Sequence, residues 1–144
     1  AIQQMWNEGL GIKCNLMNQE WKVYLDKRSS LDYDVARAGW IGDFMDPSTF
    51  LDTFYSSSGT SDTGWMNPSF DALIEKARSA NDNFLRMRYL HDAEIILMED
   101  MPVAPIYFYT RPILVSKQLQ HYISSSLGYT DFKWAEMGAE PTTP

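Results

Sequence analysis

The spacing of apolar residues changes repeatedly over residues 1–40, and this alternation constrains the fold more than any other feature. Large apolar side chains recur at helical spacing over residues 1–6, whereas residues 12–16 alternate apolar with polar side chains as a strand does. Helical spacing returns over residues 21–28, and residues 33–40 again have the pattern of a strand. The order helix, strand, helix, strand predicts an α/β fold.

Two helix starts are marked by a capping residue followed by proline. Asp46 precedes Pro47, and Asn67 precedes Pro68. We expect a short helix after the first pair and a longer one, ending near Ala77, after the second.

A third helix is predicted from about Asp82 to Asp100, ending before Met101-Pro102. Its buried stripe is expected to consist of Phe84, Met87, Leu90, Ala93 and Leu97. Residues 103–109 are rich in β-branched and aromatic side chains and predict a strand, with another short extended run at 113–115.

The composition favours a globular domain and excludes some functions. A chain of 144 residues with 44% hydrophobic residues is long enough for one packed core. The net charge of −7 argues against a nucleic-acid partner, which would require a basic surface. No apolar run is long enough to cross a bilayer. The single Cys14 cannot form an intrachain disulfide and is expected in the core.

Residues for catalysis or for holding a cofactor are not grouped in this sequence. His91, His121 and Cys14 are scattered, without the spacing of a zinc site. Gly39 and Gly42 are not part of a phosphate-binding loop, and no serine has the setting of a nucleophile elbow. We therefore expect a protein that is not an enzyme and has neither a cofactor nor a metal.

The segment at residues 37–43 has the composition of a binding site. It places Arg37, Trp40 and Asp43 at the end of a predicted strand, where ligands bind in open α/β folds. Its two glycines let another backbone approach closely. The same pattern is equally compatible with a structural ion pair between Arg37 and Asp43 and a Trp40 in the core.

This run, Arg-Ala-Gly-Trp-Ile-Gly-Asp, is similar to the signature of the oligopeptide-binding proteins of ABC importers, extracellular solute-binding proteins of family 5. Further matches lie at residues 10–12, 18–21, 34–40, 68–71, 105–109 and 131–135. The resemblance implies that residues 1–136 form part of the second lobe of a two-lobed, type II-like periplasmic-binding-protein fold, with a mixed sheet flanked by helices. We expect the chain, which opens within a helical pattern, to be a C-terminal fragment, and residues 137–144 to be a disordered tail.

The resemblance also implies roles for individual residues. Asp43 would pair with the free α-amino group of a bound peptide, and Arg37 and Arg28 with its C-terminal carboxylate, whose planar geometry suits arginine. The remaining expected contacts come from the walls of the side-chain pockets, from a hydrogen-bonding tyrosine and from the loop backbone: Trp21, Leu25, Trp40, Tyr109, Gly39 and Ile41. Ile41, Gly42 and Ser29 depart from the residues that many members of the family carry there.

The function implied is capture of short oligopeptides in the periplasm or at the outer face of the membrane, and delivery to the permease of an ABC importer. Membrane association would come only through that permease or through an N-terminal anchor outside this chain. A narrower receptor for dipeptides, murein peptides or nickel complexes is an alternative, as is a signalling protein that kept the scaffold. Retention of both Arg28 and Arg37 favours longer peptides.

Overall fold

The computed structural model describes residues 1–138, which divide into two compact units. The first unit consists of residues 1–37 and 62–64, and the second of residues 38–61 together with the chain from residue 65 on. In the described part of the chain, no helix combines the length and the apolar character needed to span a membrane.

The first unit contains helices α1 (Ile2–Leu10) and α2 (Trp21–Ser29). Helix α1 ends at Gly11, whose φ of 68° is left-handed and whose N–H donates to the carbonyl of Trp6. Helix α2 begins at Glu20, whose carboxylate accepts from two backbone N–H groups of the first turn. Both helices were predicted from the apolar spacing and are confirmed.

The second unit is built on a pair of packed helices. After the short α3 (Ser48–Leu51) and a 3₁₀ turn (Asp52–Phe54), α4 (Pro68–Ser79) and α5 (Asn83–Asp100) pack against each other. Their buried residues, with one from α3, form the core: Leu51, Phe70, Ile74, Ala77, Leu90, Ala93 and Leu97. The cap predicted at Asn67 is confirmed, because its side chain accepts two N–H groups at the start of α4. The cap predicted at Asp46 is not, because α3 is preceded directly by Pro47, although Asp46 still accepts the N–H of Ser48.

The predicted stripe of α5 is only partly buried. Leu90, Ala93 and Leu97 lie in the core, whereas Phe84 is 79% exposed and Met87 is also exposed. Periodicity determines which side chains share a helix face, but burial depends on whether a neighbour reaches that turn. Cys14, expected in the core, is only half-buried.

The strands are short and lie in the C-terminal part of the second unit. Strand β1 (Leu119–Gln120) pairs antiparallel with β4 (Glu136–Met137), and β2 (Ile123–Ser124) pairs antiparallel with β3 (Thr130–Asp131). Leu119 is opposite Met137, so the predicted tail contains at least one paired residue. Residues 139–144 of that tail lie outside the described residues.

The strands predicted at residues 12–16, 33–40, 103–109 and 113–115 are not present in this structure. Alternation of side chains predicts an extended backbone, but a strand also requires a partner with which to exchange hydrogen bonds. These stretches form no ladder with another described segment. The prediction of strands there was therefore wrong for the described residues.

A bidentate ion pair connects α5 to the start of α3. The guanidinium of Arg86 donates to both carboxylate oxygens of Asp46, at 2.8 and 2.6 Å. One of these oxygens also accepts the N–H of Ser48 at 3.0 Å. The hydrogen bonds from Arg86, more than any other contact, lower the pKa of Asp46 well below its usual range.

We expect Phe70→Ala to destabilise the α4–α5 pair strongly. The Phe70 side chain is 0% exposed, so truncation leaves a cavity and lowers the free energy of unfolding by about 3–5 kcal/mol. Amide hydrogen exchange of α4 and α5 in the full-length protein measures this change. The matched control is Phe84→Ala, which alters an exposed ring and should change the free energy by less than about 0.5 kcal/mol. Equal effects of the two variants would contradict the assigned core.

We also expect Asp46→Asn to remove a pH-dependent part of the stability. Because the folded-state pKa of Asp46 is lowered, its contribution is present above the unfolded-state pKa of about 3.9 and is lost as the pH falls through the folded value. The variant should therefore be less stable than the wild type at pH 7, and the difference should narrow below about pH 4. Denaturant unfolding over this pH range tests this, with the exposed Asp34→Asn as control. A difference that does not change with pH would mean that the charge of Asp46 contributes nothing.

Candidate functional site

The loop that carries Asp43 is held by Thr49 of α3. The indole Nε1 of Trp40 donates to the backbone carbonyl of Thr49 at 2.8 Å, and the backbone N–H of Asp43 donates to Thr49 Oγ1 at 2.9 Å. Thr49 is only 4% exposed, so water does not readily replace either bond. The Trp40–Asp43 segment is therefore tied to one buried residue at both of its ends.

The two glycines of this region have different surroundings. A Cβ atom at Gly42 would lie 3.0 Å from Thr49 Cγ2 and 3.3 Å from the ring of Phe50, whereas a Cβ atom at Gly39 would meet nothing within 4 Å. Gly42 thus permits close packing of the loop on α3. The backbone of Gly39 is open to an approaching group.

The side chains of the Trp40–Asp43 segment face away from the core. Trp40 is 49% exposed and Ile41 and Asp43 are exposed as well. A core position for Trp40, one of the two alternatives left open by the sequence, is therefore wrong. The carboxylate of Asp43 forms no ion pair within the described part of the second unit. It is an accessible negative charge on a fixed backbone, which can accept hydrogen bonds from a cation.

Tyr109 lies in the same unit as Asp43, in an exposed stretch of chain without regular secondary structure. Its ring centroid is 5.5 Å from that of Tyr107, at an interplanar angle of 31°. The phenol is accessible to a ligand, but no hydrogen bond or ring contact joins Tyr109 to the Trp40–Asp43 segment. Its predicted role stays a prediction.

The first unit carries the other predicted residues. Trp21 and Leu25 are exposed on α2, and the Trp21 ring lies 5.2 Å from that of Tyr24. Arg28, one turn beyond Tyr24, donates to the Tyr24 hydroxyl at 3.2 Å, and this hydroxyl donates to the backbone carbonyl of Arg37 at 2.5 Å. Helix α2 therefore fixes the backbone at Arg37.

The two arginines differ in their electrostatic surroundings. Arg28 Nη2 is 2.8 Å from Asp62 Oδ2, and both side chains are largely shielded from solvent. Arg37 is exposed and forms no ion pair within residues 1–37 and 62–64. Arg28 is consequently neutralised by Asp62, whereas the guanidinium of Arg37 is available to a ligand carboxylate.

Three residues that organise the site were missed by the sequence analysis: Tyr24, Thr49 and Asp62. Tyr24 carried a signal, because it stands four residues before Arg28 on the same helix face. Thr49 follows the predicted cap and has no distinguishing pattern. Asp62 lies in a polar loop far from Arg28 in sequence, so only the tertiary structure reveals the pair.

The described residues contain no cluster of three or more His, Cys, Asp or Glu side chains suited to a metal ion. The predicted site residues are divided between the two units. The first unit carries Trp21, Leu25, Arg28 and Arg37. The second carries the rest of the predicted site: Gly39, Trp40, Ile41, Asp43 and Tyr109.

Comparison with known proteins gives matches over most of the chain. The family described as bacterial extracellular solute-binding proteins, family 5 Middle, matches residues 1–62. The oligopeptide-binding protein OppA of Bacillus subtilis is 42% identical over 134 residues, which cover 92% of this chain and 25% of that protein.

Solved structures of relatives have the same fold. The murein tripeptide-binding protein MppA of Escherichia coli superposes with a TM-score of 0.76 at 39% identity, covering 83% of this chain and 23% of that one. OppA of Haemophilus influenzae, in complex with the peptide RPPGFSPFR, superposes with a TM-score of 0.75 at 36% identity, covering 82% and 23%.

The chain thus spans about a quarter of the length of the relatives it matches. The resemblance of the Arg37–Asp43 run, the match to the family and the superposed structures agree with one another. The α/β prediction is confirmed at the level of the fold, although the described strands are short. The chain belongs to the bacterial extracellular solute-binding proteins of family 5.

Proposed function

We propose that the full-length protein captures short oligopeptides outside the cytoplasm and delivers them to the permease of an ABC importer. The observation that carries this proposal is the accessible carboxylate of Asp43, which forms no ion pair within the described part of its unit and lies on a backbone fixed by Thr49. Relatives over this same stretch are named as oligopeptide-, dipeptide- and murein-peptide-binding proteins. Several of them are named as periplasmic, which supports an extracytoplasmic location.

Asp43 is the proposed partner of the peptide's α-ammonium group. An ammonium group removed from water requires a fixed anion, because an unpaired buried charge is strongly destabilising. Asp43 meets this requirement, since its backbone N–H is already bound and its carboxylate forms no ion pair within the described part of its unit.

Arg37 is the proposed main partner of the C-terminal carboxylate. Its guanidinium is exposed and unpaired within its unit, whereas Arg28 is bound to Asp62. A ligand carboxylate reaching Arg28 would have to displace Asp62 or share the guanidinium with it. Arg28 therefore contributes less than Arg37.

The other predicted residues provide contacts that do not depend strongly on the peptide's sequence. Trp21, Leu25 and Trp40 offer exposed apolar surface for varied side chains. The open backbone at Gly39 and Ile41 can pair with an extended peptide as an added strand does. Tyr109 is proposed to donate a hydrogen bond to the peptide backbone.

No catalytic step and no cofactor form part of this proposal. The relatives are named as solute-binding and peptide-binding proteins. The permease is proposed as the protein partner, and a narrower receptor for dipeptides or murein peptides remains the alternative within the family.

Calorimetric titration of the full-length protein with Ala-Phe-Ala tests the role of Asp43. We expect Asp43→Asn to weaken binding of the free peptide by at least about 100-fold, because the ammonium group loses its charged partner. N-acetylation of the peptide should weaken binding to the wild type similarly. Glu99→Gln, which neutralises an exposed carboxylate on α5, is the control and should leave binding unchanged.

If Asp43→Asn binds Ala-Phe-Ala as the wild type does, ammonium recognition by Asp43 is wrong. If Ala-Phe-Ala does not bind the wild type, a murein tripeptide and a dipeptide are titrated next. Binding of only one of these would favour the narrower receptor.

The unequal surroundings of the two arginines give a further prediction. Arg37→Gln should weaken binding of free Ala-Phe-Ala by more than about 10-fold but hardly affect the C-amidated peptide, which has no carboxylate. Arg28→Gln should have a smaller effect on the free peptide, because Arg28 is already paired with Asp62. The same titrations measure both, and a larger loss in Arg28→Gln would contradict the assignment.

A further inference from the structure

The hydroxyl of Thr49 bonds directly to the residue proposed to recognise the peptide's amino terminus. Thr49 Oγ1 accepts the N–H of Asp43 at 2.9 Å, and no intervening residue separates this bond from the Asp43 Cα atom. The carbonyl of Thr49 holds Trp40, at the other end of the segment. A buried acceptor at this position limits the backbone conformations available to Asp43.

Thr49 is itself held on a rigid base. Helix α3 begins beside Asp46, which is bound by Arg86 of α5 and accepts the N–H of Ser48. Leu51, two residues after Thr49, is buried in the core with α4 and α5. The position of the Thr49 hydroxyl is therefore determined by the packed helices.

We propose that Thr49 is a positioning residue for amino-terminal recognition: its Oγ1 holds the backbone of Asp43 so that the carboxylate meets a peptide α-ammonium without prior rearrangement. The inference rests on the proposed function, in which Asp43 is the ammonium partner. Its physical basis is preorganisation, because a carboxylate on a mobile backbone loses more conformational entropy when it binds.

Two substitutions at residue 49 separate the hydrogen bond from packing. Thr49→Val keeps the branched shape but removes the acceptor, which leaves the Asp43 N–H without its bond. Thr49→Ser keeps the acceptor and removes the methyl carbon Cγ2. This methyl group lies close to Gly42, where an added Cβ atom would be only 3.0 Å from it. The serine variant therefore loses packing and keeps the hydrogen bond.

The experiment compares Ala-Phe-Ala with its desamino analogue, in which hydrogen replaces the α-amino group. Both ligands are titrated into the full-length wild type and into the Thr49→Val, Thr49→Ser and Asp43→Asn variants. Binding of the weaker analogue is measured by displacement titration at analogue concentrations up to millimolar. We expect Thr49→Val to weaken Ala-Phe-Ala about 3- to 10-fold while changing the analogue by less than about 2-fold. Thr49→Ser should bind both ligands within about 2-fold of the wild type.

Each other outcome decides the question. No effect of Thr49→Val, equal losses in the valine and serine variants, or equal losses for the two ligands would overturn the inference, because each indicates no role or a general packing role. The Asp43→Asn variant separates the two levels of the proposal. If it binds Ala-Phe-Ala normally, ammonium recognition by Asp43 fails; if it binds weakly while Thr49→Val binds normally, only the role of Thr49 fails.

Discussion

The bidentate ion pair between Arg86 and Asp46 joins the helical core of the second unit to the loop that carries Asp43. Helix α3 has only four residues, of which Leu51 lies in the apolar core and Thr49 is also buried. So short a helix has little stability of its own and depends on tertiary contacts. The Arg86–Asp46 pair and the buried Thr49 therefore make one continuous support beneath an exposed carboxylate.

The charged residues of the candidate site differ in whether they are paired inside their own unit. Arg28 is satisfied internally by Asp62 and Tyr24, while Arg37 and Asp43 form no ion pair with the described residues of their own units. An exposed, unpaired charge costs little free energy in water. Its attraction to an opposite charge becomes stronger once a ligand excludes that water. The internally satisfied Arg28 is thereby suited to holding the backbone at Arg37 through Tyr24.

The helices and their ends were predictable from the sequence because their signals are local. Asn67 before Pro68, Asp82 before the last long helix and Gly11 after the first act on neighbouring backbone groups, whatever the rest of the fold does. The strands were not, because a stretch such as residues 103–109 becomes a strand only when another segment supplies the ladder. The exposure of Phe84 has the same cause, because a side chain on the predicted helix face is buried only where another segment covers it.

The sequence named candidate site residues through a family signature, and their contact with a ligand stays a prediction. Asp43 and Arg37 belong to such a signature, and the structure leaves both accessible. Thr49 and Asp62 belong to no signature. Each acts by contacting a site residue that is near it in the folded chain, and the sequence does not show which residues come into contact. Affinity for a charged terminus depends on both kinds of residue, since a carboxylate binds well only if its backbone is already in place. In the proposed function, the support beneath Asp43 therefore contributes to ammonium recognition together with the carboxylate itself.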